Sequence, residues 1–369
     1  MLLVPVKRSI VSLGREAIIA ALEDAGVPPE KLELCFLSNA LAGVLFGDTT
    51  VGQDVFAACG IAGVAIANVE NACASGSTAF HLAVTSIMSG QYDVVLVAGV
   101  EKMCVPAMGL VGAGQTNLES KLGMAAPAGF AMRAQRHMYT FGTTAEQLAT
   151  ITVKSRRHAA LNPLAQFRAP ETIEQVMASP MIADPLTRSQ CCPIADGAAA
   201  VVLASDRFAR GRGRAIKVDG SVLLSGNYRM PADFVRWETD YRAAVAAYEK
   251  AGIGPDDVDV VECHDAFTIS EILHYEALGL CALGEGGLLA ASGETALGGR
   301  IPVNVSGGLL SRGHPVGATG IAQICELVTQ LRREAGPRQV ENCKTALAHC
   351  MGGDRLGDTK SCTISVLSR

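Results

Sequence analysis

The chain has 369 residues, 49% of them apolar and only 18% charged, with a formal net charge of −5. That length predicts two packed halves of roughly 100–200 residues each, and the charge excludes a broad basic footprint for nucleic acid. Twelve cysteines lie scattered among apolar segments rather than in a small-domain framework, which predicts reduced thiols in a cytoplasmic protein. Met1–Ile10 has Lys7 and Arg8 but no apolar stretch behind them, so no signal peptide is read there. The terminal Leu367-Ser368-Arg369 does not match a peroxisomal address. No apolar run reaches membrane-spanning length.

In chain order, helix-like and strand-like segments alternate, the pattern of an α/β architecture. Ser12 to Ala25 predicts a helix with Ser12 as its N-cap and Gly26 as its stop. Leu32–Leu37 and Val64–Val69 predict strands, and Cys73–Ser89 predicts an Ala- and Ser-rich helix ended by Gly90. Tyr92–Ala98 predicts a buried strand. Glu101–Tyr139 is rich in Gly, Ala and Met with little period, which reads as a functional loop or small lid, and Thr144–Ala160 is again helical. Gly197–Ala204 closes the first round as a strand. The second round predicts a helix at Thr239–Ala251 capped by Thr239, strands at Val258–Glu262 and Ile301–Val305, and helices at Thr268–Leu278 and Gly317–Arg333. Thr345–Ala348 and Cys362–Leu367 are the last strands. Each half contains a strand, a Gly- or Ser-rich turn and a small-residue helix.

Two turns carry chemistry. Cys73, between a strand and a helix, is expected at the helix N-terminus, where free N–H groups and the macrodipole stabilise a thiolate. The same N–H groups can hold the oxyanion of an attacked thioester. His314, fixed between Gly313 and Pro315 ahead of a helix, suits a residue that takes a proton from a thiol and returns it.

The turn Asn71-Ala72-Cys73-Ala74-Ser75-Gly76, the stretch Gly307-Gly308-Leu309-Leu310-Ser311-Arg312-Gly313-His314-Pro315-Val316-Gly317-Ala318-Thr319-Gly320 and the segment His264-Asp265-Ala266-Phe267 together resemble thiolases. Tyr139–Thr144 and Cys192–Ala200 are similar to the sterol-carrier-protein-type subgroup. The resemblance runs from about Ser12 to the C-terminus. It implies a thiolase-like fold of two similar βαβαβ halves in αβαβα layers, residues 1–205 and 206–369, with a loop-domain insert at about 101–168. It implies that Cys73 is the acylated nucleophile and His314 its base. It further implies that His264, with His314, holds the enolate oxygen of a second acyl-CoA, and that the backbone N–H groups of Cys73 and Gly352 form the other oxyanion hole. Many members of the subgroup carry a second catalytic cysteine where this chain has Ala266. Ordinary thiolases carry it before a glycine pair near the C-terminus, where this chain has Cys350.

By the same resemblance, Ser306 and Gly307 contact substrate, and Arg156 and Arg157, with Lys154, Arg133 and Arg136, belong to the region that meets the phosphates of CoA. Coenzyme A enters as a substrate, with no metal or permanently bound cofactor implied, and the relatives are homodimers or homotetramers. A related condensing enzyme or a subunit needing a small OB-fold partner is the alternative reading. The family's sheet also has a strand ahead of the first helix, taken as central, for which Met1–Val6 is short.

Overall fold

The computed structural model describes residues 8–106, 118–228, 234–355 and 357–369. The first half has a four-stranded sheet made by β1 (Leu34–Ser38), β2 (Ala65–Val69), β3 (Val94–Lys102) and β6 (Asp196–Ala204) in the order β2-β1-β3-β6. β1 runs parallel to both neighbours, whereas β6 is antiparallel to β3. Between them lies a small hairpin, β4 (Met181–Ala183) and β5 (Leu186–Thr187). The second half repeats the plan with β7 (Lys217–Ser225), β8 (Val260–Glu262), β9 (Thr345–Arg355) and β10 (Asp358–Ser368) in the order β7-β10-β9-β8. Again the β8–β9 pair is parallel and the β9–β10 pair antiparallel.

The sheets sandwich two helices, Ser75–Met88 and Thr319–Leu331. Ala79, Phe80 and Ala83 of one, and Ile321, Ile324 and Leu327 of the other, share a core with Val95, Val97, Ala346 and Ala348 from the two sheets. The outer face of the first sheet is covered by Ile10–Ala25, and that of the second by Glu238–Ala251 and Thr268–Ala277, each with its own apolar cluster. The layer order is therefore αβαβα.

The central helices meet almost backbone to backbone. A Cβ on Gly76 would lie 2.9 Å from the Gly317 carbonyl oxygen, and one on Gly320 only 2.5 Å from the Ser77 nitrogen. Small residues at these positions let the N-terminus of one half's helix press against that of the other.

Several local expectations are corrected. The first helix starts at Ile10 and is capped by Ser9, whose hydroxyl accepts from the Ser12 N–H. Thr239 is not the cap of its helix, because it donates to Asp358 instead and Trp237 holds the cap position. Ile301–Val305 forms a single bridge, Val303 to Val261, rather than a strand. The helix after His314 begins at Thr319, with Pro315–Ala318 in a turn. Within the stretch read as irregular, Ala126–Phe141 is a 16-residue helix. Its inward face uses Ala131, Ala134 and His137, too small and polar to show as a hydrophobic period. Met1–Val6 lie outside the described residues. The centre of the first sheet is held by β1 and β3, so the strand expected there has no central gap to fill. Among the described residues the outer edge of β6 has no partner strand, whereas its counterpart β10 is flanked by β7.

Two glycine substitutions test the close approach. Gly320→Ala is expected to lower stability by about 1–3 kcal/mol, because the contact at Ser77 is backbone with no slack. Gly129→Ala, in an open part of the helix Ala126–Phe141, is expected to raise it by about 0.5–1 kcal/mol. Urea unfolding midpoints check both, and an unchanged midpoint for Gly320→Ala would contradict the packing described.

Candidate active site

Cys73 stands on a tight turn between β2 and the helix Ser75–Met88. Ala72 takes a left-handed φ of 50°, and the turn is tied by the Asn71 N–H to Ser75 Oγ (2.7 Å) and by Ser75 Oγ–H to the Ala72 carbonyl (2.6 Å). The thiol is therefore fixed relative to the helix rather than free to swing. Burial, then the charge of Glu101, pushes Cys73 up to about 12, although the N–H groups of Cys73 and Gly353 pull the other way. The expectation of a resting thiolate is corrected accordingly: desolvation outweighs the helix N-terminus, and the thiol needs a base.

The imidazole nearest to it comes from the other half. The His314 ring nitrogen Nδ1 lies 2.8 Å from Thr319 Oγ1, and this hydroxyl donates to the Pro315 carbonyl (3.0 Å). Thr319 is therefore the acceptor from Nδ1–H, which leaves Nε2 as the imidazole's acceptor. Burial, then Arg312, lowers His314 to about 3, so it is neutral. Cys73 Sγ and a ring nitrogen of each of His264 and His314 all lie within 4.8 Å of one another. The two imidazoles meet edge to face, centroids 5.0 Å apart.

Cys350, on β9, is buried against the same group. Its Sγ is 3.2 Å from the Cys73 carbonyl oxygen and 3.5 Å from His264 Nδ1. Burial and the neighbouring Cys73 push its thiol up. Gly352 packs on the nucleophile's turn, where a Cβ would lie 2.4 Å from the Asn71 oxygen. The Gly353 N–H, one residue beyond, is among the groups that pull the Cys73 thiol down.

A buried carboxylate joins the halves at this point. Glu101, at the end of β3, accepts from the Ala40 and Gly317 N–H groups (both 2.9 Å), the Leu41 N–H (3.3 Å) and the Asn39 amide (2.9 Å). Ser38 Oγ–H donates to the Gly317 carbonyl at 2.6 Å. Both groups of Gly317 are thus held by the first half, which seats the His314 turn over Cys73. A second buried carboxylate, Asp240, holds His349 Nε2 at 2.7 Å. His349 Nδ1 in turn accepts the His264 N–H at 3.4 Å.

These groups open into a mostly apolar cleft of about 930 Å³, lined by Cys73, His264, Ala266 and His314, with the stacked pair Phe130 and Phe267 (centroids 4.3 Å apart) along one wall. Of the cations expected near CoA, Arg133 and Arg156 line the cleft while engaged by protein partners. Lys154 is buried on Glu271 and Tyr275, Arg133 pairs with Asp354, and Arg156 is held by Glu171, Ser311 and the Leu310 carbonyl. Arg157 and Arg136 are exposed and do not line the cleft. Ser306 is fully buried, its N–H and hydroxyl both donating to Glu262, and Gly307 packs on Ala159. Neither reaches the cleft, so the substrate contacts expected of Ser306, Gly307 and Arg157 are corrected: glycine and serine there serve the seam between the His314 segment and the insert. Arg168 and Arg188 are exposed and do line the cleft. Cys192, also on the wall, is joined to the Ala266 carbonyl by its N–H (2.9 Å).

Residues 6–207 match the family model "Thiolase, N-terminal domain", and residues 220–368 match "Thiolase C-terminal domain-like". The chain is 42% identical to acetyl-CoA acetyltransferase of Methanothermobacter thermautotrophicus over 92% of this chain and 90% of that one. It is also 42% identical to a benzoylsuccinyl-CoA thiolase subunit of Thauera aromatica, over 92% and 89%, and 39% identical to sterol carrier protein 2 of Rattus norvegicus, over 94% and 66%. Among solved structures it resembles "Ltp2-ChsH2(DUF35) aldolase", with a TM-score of 0.83 and 26% identity over 98% of this chain and 93% of that one. The chain belongs to the thiolase family and is a CoA-dependent acyltransferase of the thiolase type.

Proposed function

We propose that the chain cleaves or forms 3-oxoacyl-CoA through a thioester on Cys73. The observation that carries this reading is the meeting of Cys73 with His314 and His264 within 4.8 Å at the end of an apolar cleft. His314, neutral and with Nε2 unprotonated, takes the Cys73 proton as the sulfur attacks the substrate's 3-oxo carbon. The oxyanion is held by the N–H groups of Cys73 and Gly352, and the acetyl-CoA enolate leaves with its oxygen on His264 and takes its carbon-bound proton from Cys350, whose thiol the proton from Cys73 then restores. Coenzyme A then takes the acyl group from Cys73. In the synthetic direction Cys350 handles the α-proton of the second acyl-CoA. Arg168 and Arg188, exposed at the cleft wall, are the candidates for the phosphates of CoA. CoA acts as substrate with no permanently bound cofactor, in a homodimer or homotetramer of the cytoplasm.

A second reading, that the chain works as one member of a two-protein enzyme, draws on the structural neighbour, whose name includes a DUF35 component. It predicts inactivity alone and recovery with a small OB-fold partner.

The test is thiolysis of acetoacetyl-CoA by added CoA with the purified chain. Cys73→Ala is expected to lose at least about 1000-fold in rate, since nothing else in the cleft replaces a fixed nucleophile. Activity retained in that variant would contradict the reading. Because Cys73 and His314 are an uncharged pair at rest, the acylation rate is expected to stay flat from about pH 5 to about pH 9, with no acid limb near the ordinary histidine pKa of about 6.5. Stopped-flow acylation checks this, and a limb near 6.5 would show His314 unshifted. Arg168→Glu with Arg188→Glu is expected to raise KM for CoA about tenfold or more with kcat unchanged, the effect of roughly 1.4 kcal/mol of lost binding. Equal loss in kcat would place these arginines in the chemistry instead.

A further inference from the structure

We infer that His264 and Cys350 form a second cysteine–histidine pair, in which the imidazole takes the thiol proton as the sulfur removes the α-proton of the incoming acyl-CoA. The inference rests on the thiolase reading and deepens it, giving the enolate-holding histidine a proton-accepting role as well.

The geometry is specific to this ring. Among the described residues the hydrogen-bond partner of the His264 side chain is Cys350, Sγ to Nδ1 at 3.5 Å. The thiol hydrogen has two acceptors in reach, the Cys73 carbonyl at 3.2 Å and His264 Nδ1. A neutral His264 that accepts at Nδ1 carries its hydrogen on Nε2, the donor the enolate oxygen needs. One tautomer therefore serves both tasks. Besides Cys350, the groups facing the imidazole are the Cys73 thiol, His314 edge-on at 5.0 Å, His349 at its backbone N–H, and His274 beyond, tilted against His349 at 4.2 Å. Burial, then His314 and His349, keeps His264 neutral, and burial keeps the Cys350 thiol protonated. The resting pair is uncharged.

His349 and Cys350 are adjacent on β9, and His349 is pinned by Asp240, whose other oxygen accepts from the Thr359 hydroxyl. A single buried carboxylate thus fixes the strand that carries the thiol and, through the His264 N–H, the backbone that carries the imidazole.

In condensation the Cys350 proton passes to His264 Nδ1, and the thiolate takes the α-proton, so one C–H bond breaks as an S–H bond forms. The enolate oxygen accepts from Nε2–H. The enolate carbon then bonds to the thioester carbon on Cys73, the C–S bond breaks, and the released Cys73 thiolate recovers, through His314 edge-on at 5.0 Å, the proton held by His264. No oxidant, reductant or further reactant enters, and cleavage is the reverse.

The test follows loss of deuterium from methyl-deuterated acetyl-CoA into water, alongside the intact mass of the enzyme. His264→Asn keeps an N–H donor for the enolate oxygen but removes the base, and His264→Gln is the substitute where the first variant misfolds. The expected result is acetylation of Cys73 within about threefold of wild type, while exchange falls about 100-fold. Exchange in the variant should also climb with pH across the range where wild type is flat, because hydroxide must now make the thiolate. Cys350→Ala should acetylate and not exchange. A His264 variant whose exchange keeps the wild-type pH profile, or a Cys350→Ala that exchanges normally, overturns the pair while leaving the acyl-enzyme intact. A wild-type protein that forms no acetyl adduct sinks the thiolase reading itself, and the pair with it.

Discussion

The active site depends on the junction at Gly317, where the second half offers one N–H and one carbonyl and the first half satisfies both. Glu101 and Ser38 hold this peptide from below, and the glycine pairs at Gly76 and Gly320 let the central helices close upon it. A buried carboxylate with four N–H donors is strongly bound, and its removal leaves several buried donors without partners, at a cost of about 1–3 kcal/mol each. Cys73 belongs to one half and His314, His264 and Cys350 to the other. Their meeting within a few ångströms is a property of this seam rather than of either half.

The same burial sets the chemistry. Desolvation disfavours every charged form in the pocket, so it raises the thiols and lowers the imidazoles together. The resting site is a set of neutral thiol and imidazole groups, and charge is developed only as protons move between them. A thiolate formed early would react with any electrophile that entered; a neutral pair forms its nucleophile only against a seated substrate. In the proposed reaction, donors already in place around Cys73 and on His264 cost no reorganisation when charge arises.

Much of this was legible in the sequence. The alternation of elements gave the α/β class, and the family resemblance of the Cys73, His264 and His314 segments carried the layered fold and the residues that gather at the cleft. What was not legible is what depends on partners distant in the chain. Glu101 has no local signal, because its N–H donors at Ala40 and Gly317 lie 61 and 216 residues away. Arg156 sits on a helix that looks solvated, yet it points inward to Glu171 and Ser311. Ser306 and Gly307 lie in the richest glycine stretch, and there the glycine serves packing against Ala159 instead of contact with ligand. The helix Ala126–Phe141 was hidden because alanine and histidine fill its buried face.

The most direct test of the account is peptide mapping of the enzyme quenched in acid during turnover of acetoacetyl-CoA. The account predicts an acetyl group on the peptide containing Cys73, removed when CoA is added before the quench. An acetyl group on the Cys192 or Cys350 peptide instead, or turnover with no acylated peptide, would contradict it.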